Sequence, residues 1–63
     1  MIAQNIKKYR KKTGISQDKL SKLAGVTYHT IIKIESGATT NPRVETLSLI
    51  AKVFGVTIDD LIR

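Results

Sequence analysis

Three times in 63 residues a glycine is followed by a branched aliphatic residue and then by a hydroxyl residue: Gly14-Ile15-Ser16, Gly25-Val26-Thr27 and Gly55-Val56-Thr57. Each position of this signal has a physical role. Glycine takes the left-handed backbone conformation that closes a helix. Serine or threonine accepts a hydrogen bond from the free N–H groups that open the next helix. The residue between them packs on the fourth residue of that new helix. All three copies supply an apolar partner at that place: Ile15 with Leu20, Val26 with Ile31, Val56 with Leu61. Three such junctions divide the chain into helices and leave little room for any other secondary structure.

The apolar spacing between the junctions predicts five helices. The first runs from about Ile2 to Lys12, with Ile2, Ile6 and Tyr9 inward and Lys11 and Lys12 in its last turn, where cations suit the helix dipole. The second covers about Gln17 to Ala24, with Leu20, Leu23 and Ala24 inward, and the third about Tyr28 to Ser36, with Ile31 and Ile34 inward and Gly37 as its stop. A polar loop from Ala38 to Asn41 comes next, and Pro42 forbids a continuous helix through it. The fourth helix, about Val44 to Phe54, is expected to bury Val44, Leu47, Ile50, Ala51 and Phe54. The fifth is short, from Ile58 to Ile62, and Asp60 stands three residues after Thr57, the spacing of a capping box. No stretch alternates with the period of a strand.

A chain of this length accommodates one domain, residues 1–63. It has no cysteine, so neither a disulfide nor a thiolate metal site can staple it, in keeping with a reducing compartment. No apolar run approaches the roughly 20 residues that span a bilayer, and the start Ile2-Ala3-Gln4-Asn5 lacks the apolar stretch of a signal peptide. A cytoplasmic location, in a bacterium or as a phage product, is therefore expected. Eleven Lys and Arg against five acids give a formal charge of +6, which points to a polyanionic partner. With one His, no Cys and acids scattered at positions 18, 35, 45, 59 and 60, no nucleophile–base set, Gly-rich phosphate loop or metal cluster emerges. The chain is expected not to be an enzyme and to need no cofactor, metal or small-molecule ligand.

The second and third helices are short and joined only by Gly25-Val26, with Thr27 as cap; residues 16–36 thus form a helix-turn-helix unit. Ser21 is small where the two helices must cross. Turning the third helix by about 100° per residue places His29, Lys33 and Ser36 opposite the buried Ile31 and Ile34, with Tyr28 and Ile32 beside them. That face carries a phenol, an imidazole, an ammonium and a hydroxyl, and no acid. It suits a major groove: Lys33 can donate to guanine O6 and N7, Tyr28 and His29 can donate or accept, and Ile32 can meet a thymine methyl.

The ordered set Ile15-Ser16-Gln17-Asp18-Lys19-Leu20-Ser21-Lys22-Leu23-Ala24-Gly25-Val26-Thr27, followed by Ile31, Glu35, Gly37, Pro42, Thr46-Leu47, Ala51 and Gly55-Val56-Thr57-Ile58-Asp59-Asp60-Leu61, resembles the phage repressor/Cro (Xre-type) DNA-binding family. The likeness extends from Ile2 to Ile62. It implies an all-α, five-helix, lambda-repressor-like domain that binds operator DNA as a transcriptional regulator, usually a repressor, and usually as a homodimer on a near-palindromic site. It implies base reading by Thr27, Tyr28, His29 and Lys33, with Ile32 at their side. It implies phosphate contacts by Gln17 and Ser16 and, from the loop after the third helix, by Thr39, Thr40, Asn41 and Arg43. It also implies an ion pair between Arg10 and Glu35. Two positions depart from the family pattern: Ser21 stands where Ala is commoner, and Ala38 to Asn41 contain no Lys or Arg.

Two other readings share this sequence. The same fold serves antitoxins and adaptor-type protein-interaction modules, which an apolar third-helix face would favour over this polar one. Attachment to an anionic membrane through Lys7, Lys8, Arg10, Lys11 and Lys12 would require exposed Trp, Phe or Leu on the same face, and the first helix carries none.

Overall fold

The repeated glycine signal produces the same local structure each time. In the computed structural model, which describes residues 2–39 and 41–63, the first helix, α1, covers Ile2–Thr13 and α2 covers Gln17–Ala24. They are followed by α3 at Tyr28–Ser36, α4 at Val44–Phe54 and α5 at Ile58–Ile62. At all three junctions the glycine N–H donates back into the helix end: Gly14 to the Lys11 carbonyl, Gly25 to Lys22 and Gly55 to Lys52. The aliphatic N–H beside it reaches the carbonyl one residue earlier: Ile15 to Arg10 at 3.2 Å, Val26 to Ser21 at 3.0 Å, Val56 to Ala51 at 3.0 Å. These bonds satisfy carbonyls that a helix end leaves unpaired. Gly25 holds φ at +69° with open space around the position of a Cβ, so backbone strain rather than crowding would oppose a side chain there.

Ser16, Thr27 and Thr57 then open the next helices. Their hydroxyl oxygens accept from the N–H of Lys19 at 3.0 Å, Thr30 at 3.2 Å and Asp60 at 3.1 Å. At Thr57 the cap is reciprocal, since its own N–H donates to Asp60 Oδ2 at 3.0 Å. Hydrogen bonding from Thr57 to the carboxylate, its backbone N–H foremost and its side chain next, holds the Asp60 carboxyl below its ordinary range.

The core lies where the inner stripes of the helices converge. Ile6, Leu20, Ile31, Ile34, Ile50 and Leu61 are fully enclosed, with Ala24, Leu47 and Ala51 between them. Each of the six large side chains contributes about 1.5–3 kcal/mol by leaving water. The staple residues Ile15, Val26 and Val56 pack against this cluster. Tyr9 and Phe54 stack with ring centres 5.8 Å apart, joining α1 to the end of α4. In this arrangement α1 packs on α3 and α5, and α2 packs on α3 and α4.

Two expected core residues face outward. Leu23 is 55% exposed and Val44 is 69% exposed. Both lie at the margin of an apolar stripe rather than at its centre. Leu20, Ser21 and Ala24 take the contact side of α2, leaving Leu23 on its flank. Val44 is the first residue of α4 and precedes the turn where that helix meets the core through Leu47.

Candidate nucleic-acid interface

Because Ile31, Ile34 and Glu35 are the buried residues of α3, its opposite side is free. Tyr28, His29, Lys33 and Ser36 are exposed, and Ile32 is partly so. Tyr28 is 47% exposed at the first turn of the helix. Two hydroxyls near this face are already engaged within the chain. Thr27 Oγ1 lies 2.7 Å from Thr30 Oγ1 while capping the helix, and Ser36 Oγ donates to the Lys33 carbonyl at 3.1 Å. Tyr28, His29 and Lys33 therefore remain as the polar groups that project from the helix with no such engagement among the described residues.

The single acid of α3 does not reach this face. Glu35 is 3% exposed, and its carboxylate is met by the Arg10 guanidinium in two-pronged fashion, Nε to Oε2 at 2.8 Å and Nη2 to Oε1 at 3.1 Å. Such forked geometry suits a guanidinium and a carboxylate better than any lysine pair could. Arg10 Nη1 also donates to the Ile15 carbonyl at 3.1 Å, so one side chain ties α1, the first junction and α3 together. An acid in the last turn of a helix is disfavoured by the helix dipole, and Arg10 supplies the compensation.

The candidate phosphate residues fall on the two flanks of α3. On one flank Gln17, half-buried at the start of α2, donates from Nε2 to Glu35 Oε1 at 3.1 Å. Its neighbour Ser16 is exposed but uses its hydroxyl oxygen as the α2 cap. On the other flank Thr39, Asn41 and Arg43 surround a polar cleft of about 450 Å³ together with Thr30, Ile34, Pro42 and Thr46. Thr40 lies outside the described residues. Neither Thr30 nor Thr46 is a site residue by the sequence, where Thr46 enters only through the family resemblance; they line the cleft because it forms between α3 and the start of α4. Arg43 stands at the cap position of α4 and makes no side-chain cap bond.

Elsewhere, the exposed ion pairs Lys22–Asp18 at 3.2 Å and Arg63–Asp59 at 2.7 Å are local to α2 and α5. No group of three His, Cys, Asp or Glu that could hold a metal ion occurs among the described residues. None of the described helices is long and apolar enough to cross a membrane.

This geometry has counterparts among known proteins. Residues 6–61 match the family described as Helix-turn-helix. The transcriptional regulator SinR of Bacillus subtilis is 37% identical over 62 residues, covering 98% of this chain and 56% of SinR. The chain thus spans little more than half the length of that relative. An uncharacterized HTH-type transcriptional regulator of Methanocaldococcus jannaschii is 41% identical over 60 residues, covering 95% of this chain and 89% of the relative. The crystal structure of SinR, a master regulator for biofilm formation, in complex with DNA superposes with a TM-score of 0.96 at 36% identity, covering all of both chains.

Proposed function

The chain belongs to the helix-turn-helix family of Cro/C1 (Xre) type, and on that premise we propose that it binds double-stranded DNA at specific sites and regulates transcription, as a repressor, by occluding the site. The observation that carries the reading is the outer face of α3, where Tyr28, His29 and Lys33 project and the sole acid is turned inward onto Arg10. A helix of that shape and charge enters the major groove from its N-terminal end. Lys33 donates to guanine, Tyr28 and His29 choose among base edges, Ile32 contacts a thymine methyl, and Thr27 borders them. Gln17 and Ser16 on one flank, with Thr39, Asn41 and Arg43 on the other, meet the phosphates and set the register. Thr40, between Thr39 and Asn41 in sequence, is assigned the same role.

Two copies on one duplex would read half-sites about one helical turn apart. The role is non-enzymatic and is exercised in the cytoplasm, where the DNA is. Residues 1–63 act as one DNA-binding domain. The DNA complex of the SinR domain supports this reading, because that domain shares the backbone arrangement that presents α3.

The test is a gel shift on mixed-sequence duplex, followed by selection from a random library. The expected result is binding that weakens steeply as salt rises between about 50 and 200 mM, with an enriched two-fold motif. Failure to bind any duplex at the low-salt end would overturn the reading and turn attention to a protein partner.

A further inference from the structure

We propose that Glu35 is a positioning residue for DNA-backbone recognition: its buried carboxylate holds the Gln17 amide with one N–H turned inward and the other turned out toward a phosphate. This rests on the DNA-binding reading above and extends it to a residue that no DNA atom would touch. Glu35 Oε1 accepts from both Arg10 Nη2 and Gln17 Nε2 at 3.1 Å, while Oε2 accepts from Arg10 Nε at 2.8 Å. The carboxylate is thereby fixed in direction, and a carboxylate only accepts.

A glutamine amide has two donors on nitrogen and an acceptor on oxygen. Rotated by half a turn, Gln17 would set its carbonyl oxygen against the negative Glu35 oxygen, which electrostatics forbids. Its nitrogen therefore faces Glu35, and its second N–H, on a half-buried side chain, has no hydrogen-bond partner among the described residues. In the opposite orientation the position now held by that nitrogen would carry the carbonyl oxygen, an acceptor, which repels a phosphate placed beside it. Since Glu35 belongs to α3 and Gln17 to α2, the same carboxylate couples the base-reading helix to the backbone contact beside it.

The experiment uses the tightest duplex from the random-library selection, made with a neutral methylphosphonate at one backbone position at a time. For the wild-type chain, one position per half-site should show a loss of roughly tenfold that Gln17→Ala removes, the scale of a hydrogen bond to a charged group. Glu35→Gln leaves a neutral amide that tolerates either orientation of Gln17, and it should reduce that same loss while leaving the penalties at other phosphates intact. A melting curve accompanies each variant. If Glu35→Gln does not fold, the double variant Arg10→Met with Glu35→Leu, which replaces the pair by apolar groups of similar size, carries the comparison. A folded variant that keeps the full penalty at the Gln17 phosphate overturns the positioning role alone. A wild-type chain with no position sensitive to Gln17→Ala overturns the contact on which the role depends. Absence of duplex binding altogether overturns the DNA reading and the positioning role with it.

Discussion

The α2–α3 and α4–α5 corners are built from the same three residue types and share one backbone path, yet they deliver helices of opposite character. Gly25 and Gly55 both sit at φ +69°. Val26 and Val56 make equivalent backbone bonds of 3.0 Å, and Thr27 and Thr57 each cap the next helix. Beyond the cap the two diverge. The nine residues of α3 expose Tyr28, His29 and Lys33, whereas the five of α5 carry Asp59 and Asp60 in their first turn. Both helices are fastened to α1, but α3 by the charged pair Arg10–Glu35 and α5 by Asn5, whose Nδ2 donates to the carbonyls of Leu61 at 2.8 Å and Arg63 at 2.6 Å. The corner is thus a general device for turning a chain. The helix proposed to meet DNA differs from the one that closes the fold in the charge on its outer face and the kind of tie behind it.

The two ties give the largest contrast. Arg10→Met leaves the Glu35 carboxylate buried without its cation and should destabilise the chain by about 3–5 kcal/mol. Asn5→Ala frees carbonyls that can turn to water at the end of α5 and should cost only about 1 kcal/mol. Urea denaturation of the two variants checks this, and equal losses would mean that the charged tie is no stronger than the neutral one.

The caps come next. Thr27→Ala and Thr57→Ala should each cost about 1 kcal/mol of stability. Only the first should also weaken binding to duplex, since only Thr27 borders the face proposed to read bases. A matching loss of affinity from Thr57→Ala would break the distinction between the corners.

The smallest effect is a pH dependence confined to the second corner. The Asp60 carboxyl is lowered by its bonds from Thr57, so it stabilises the folded state above the ordinary carboxylate range, near about pH 4. That contribution is lost as pH falls through its lowered value. Melting temperature measured across this acid range should fall less steeply for Asp60→Asn than for wild type. Thr27 opens α3 with no acid in its first turn, so that corner has no counterpart.

Much of the fold is legible in the sequence. Helix ends obey local rules, so the three glycine signals place the boundaries within a residue, with α1 extending one residue further, to Thr13. The outward position of Tyr28, His29 and Lys33 is given by the helix period once Ile31 and Ile34 are inward. Leu23 and Val44 are misplaced by the same reasoning because periodicity gives the direction of a side chain but not how far the neighbouring helix reaches to cover it. The Gln17–Glu35 bond and the Asn5 clasp are invisible for a different reason. They join residues 18 and 56 positions apart, and no local pattern announces a contact that exists only after the helices have packed. The polar cleft at Thr30 and Thr46 has the same origin.

The central claim is that α3 reads bases while its flanks hold the backbone, and Lys33→Ala tests it most directly. Affinity would be measured on the selected duplex and on a panel with each base pair changed in turn. The variant should lose discrimination at one base pair per half-site, by about 1–3 kcal/mol if the lysine contact is bidentate, and keep its preferences elsewhere. A uniform weakening on every duplex, with all preferences preserved, would make Lys33 a backbone contact and contradict the assignment of α3 as the reading helix.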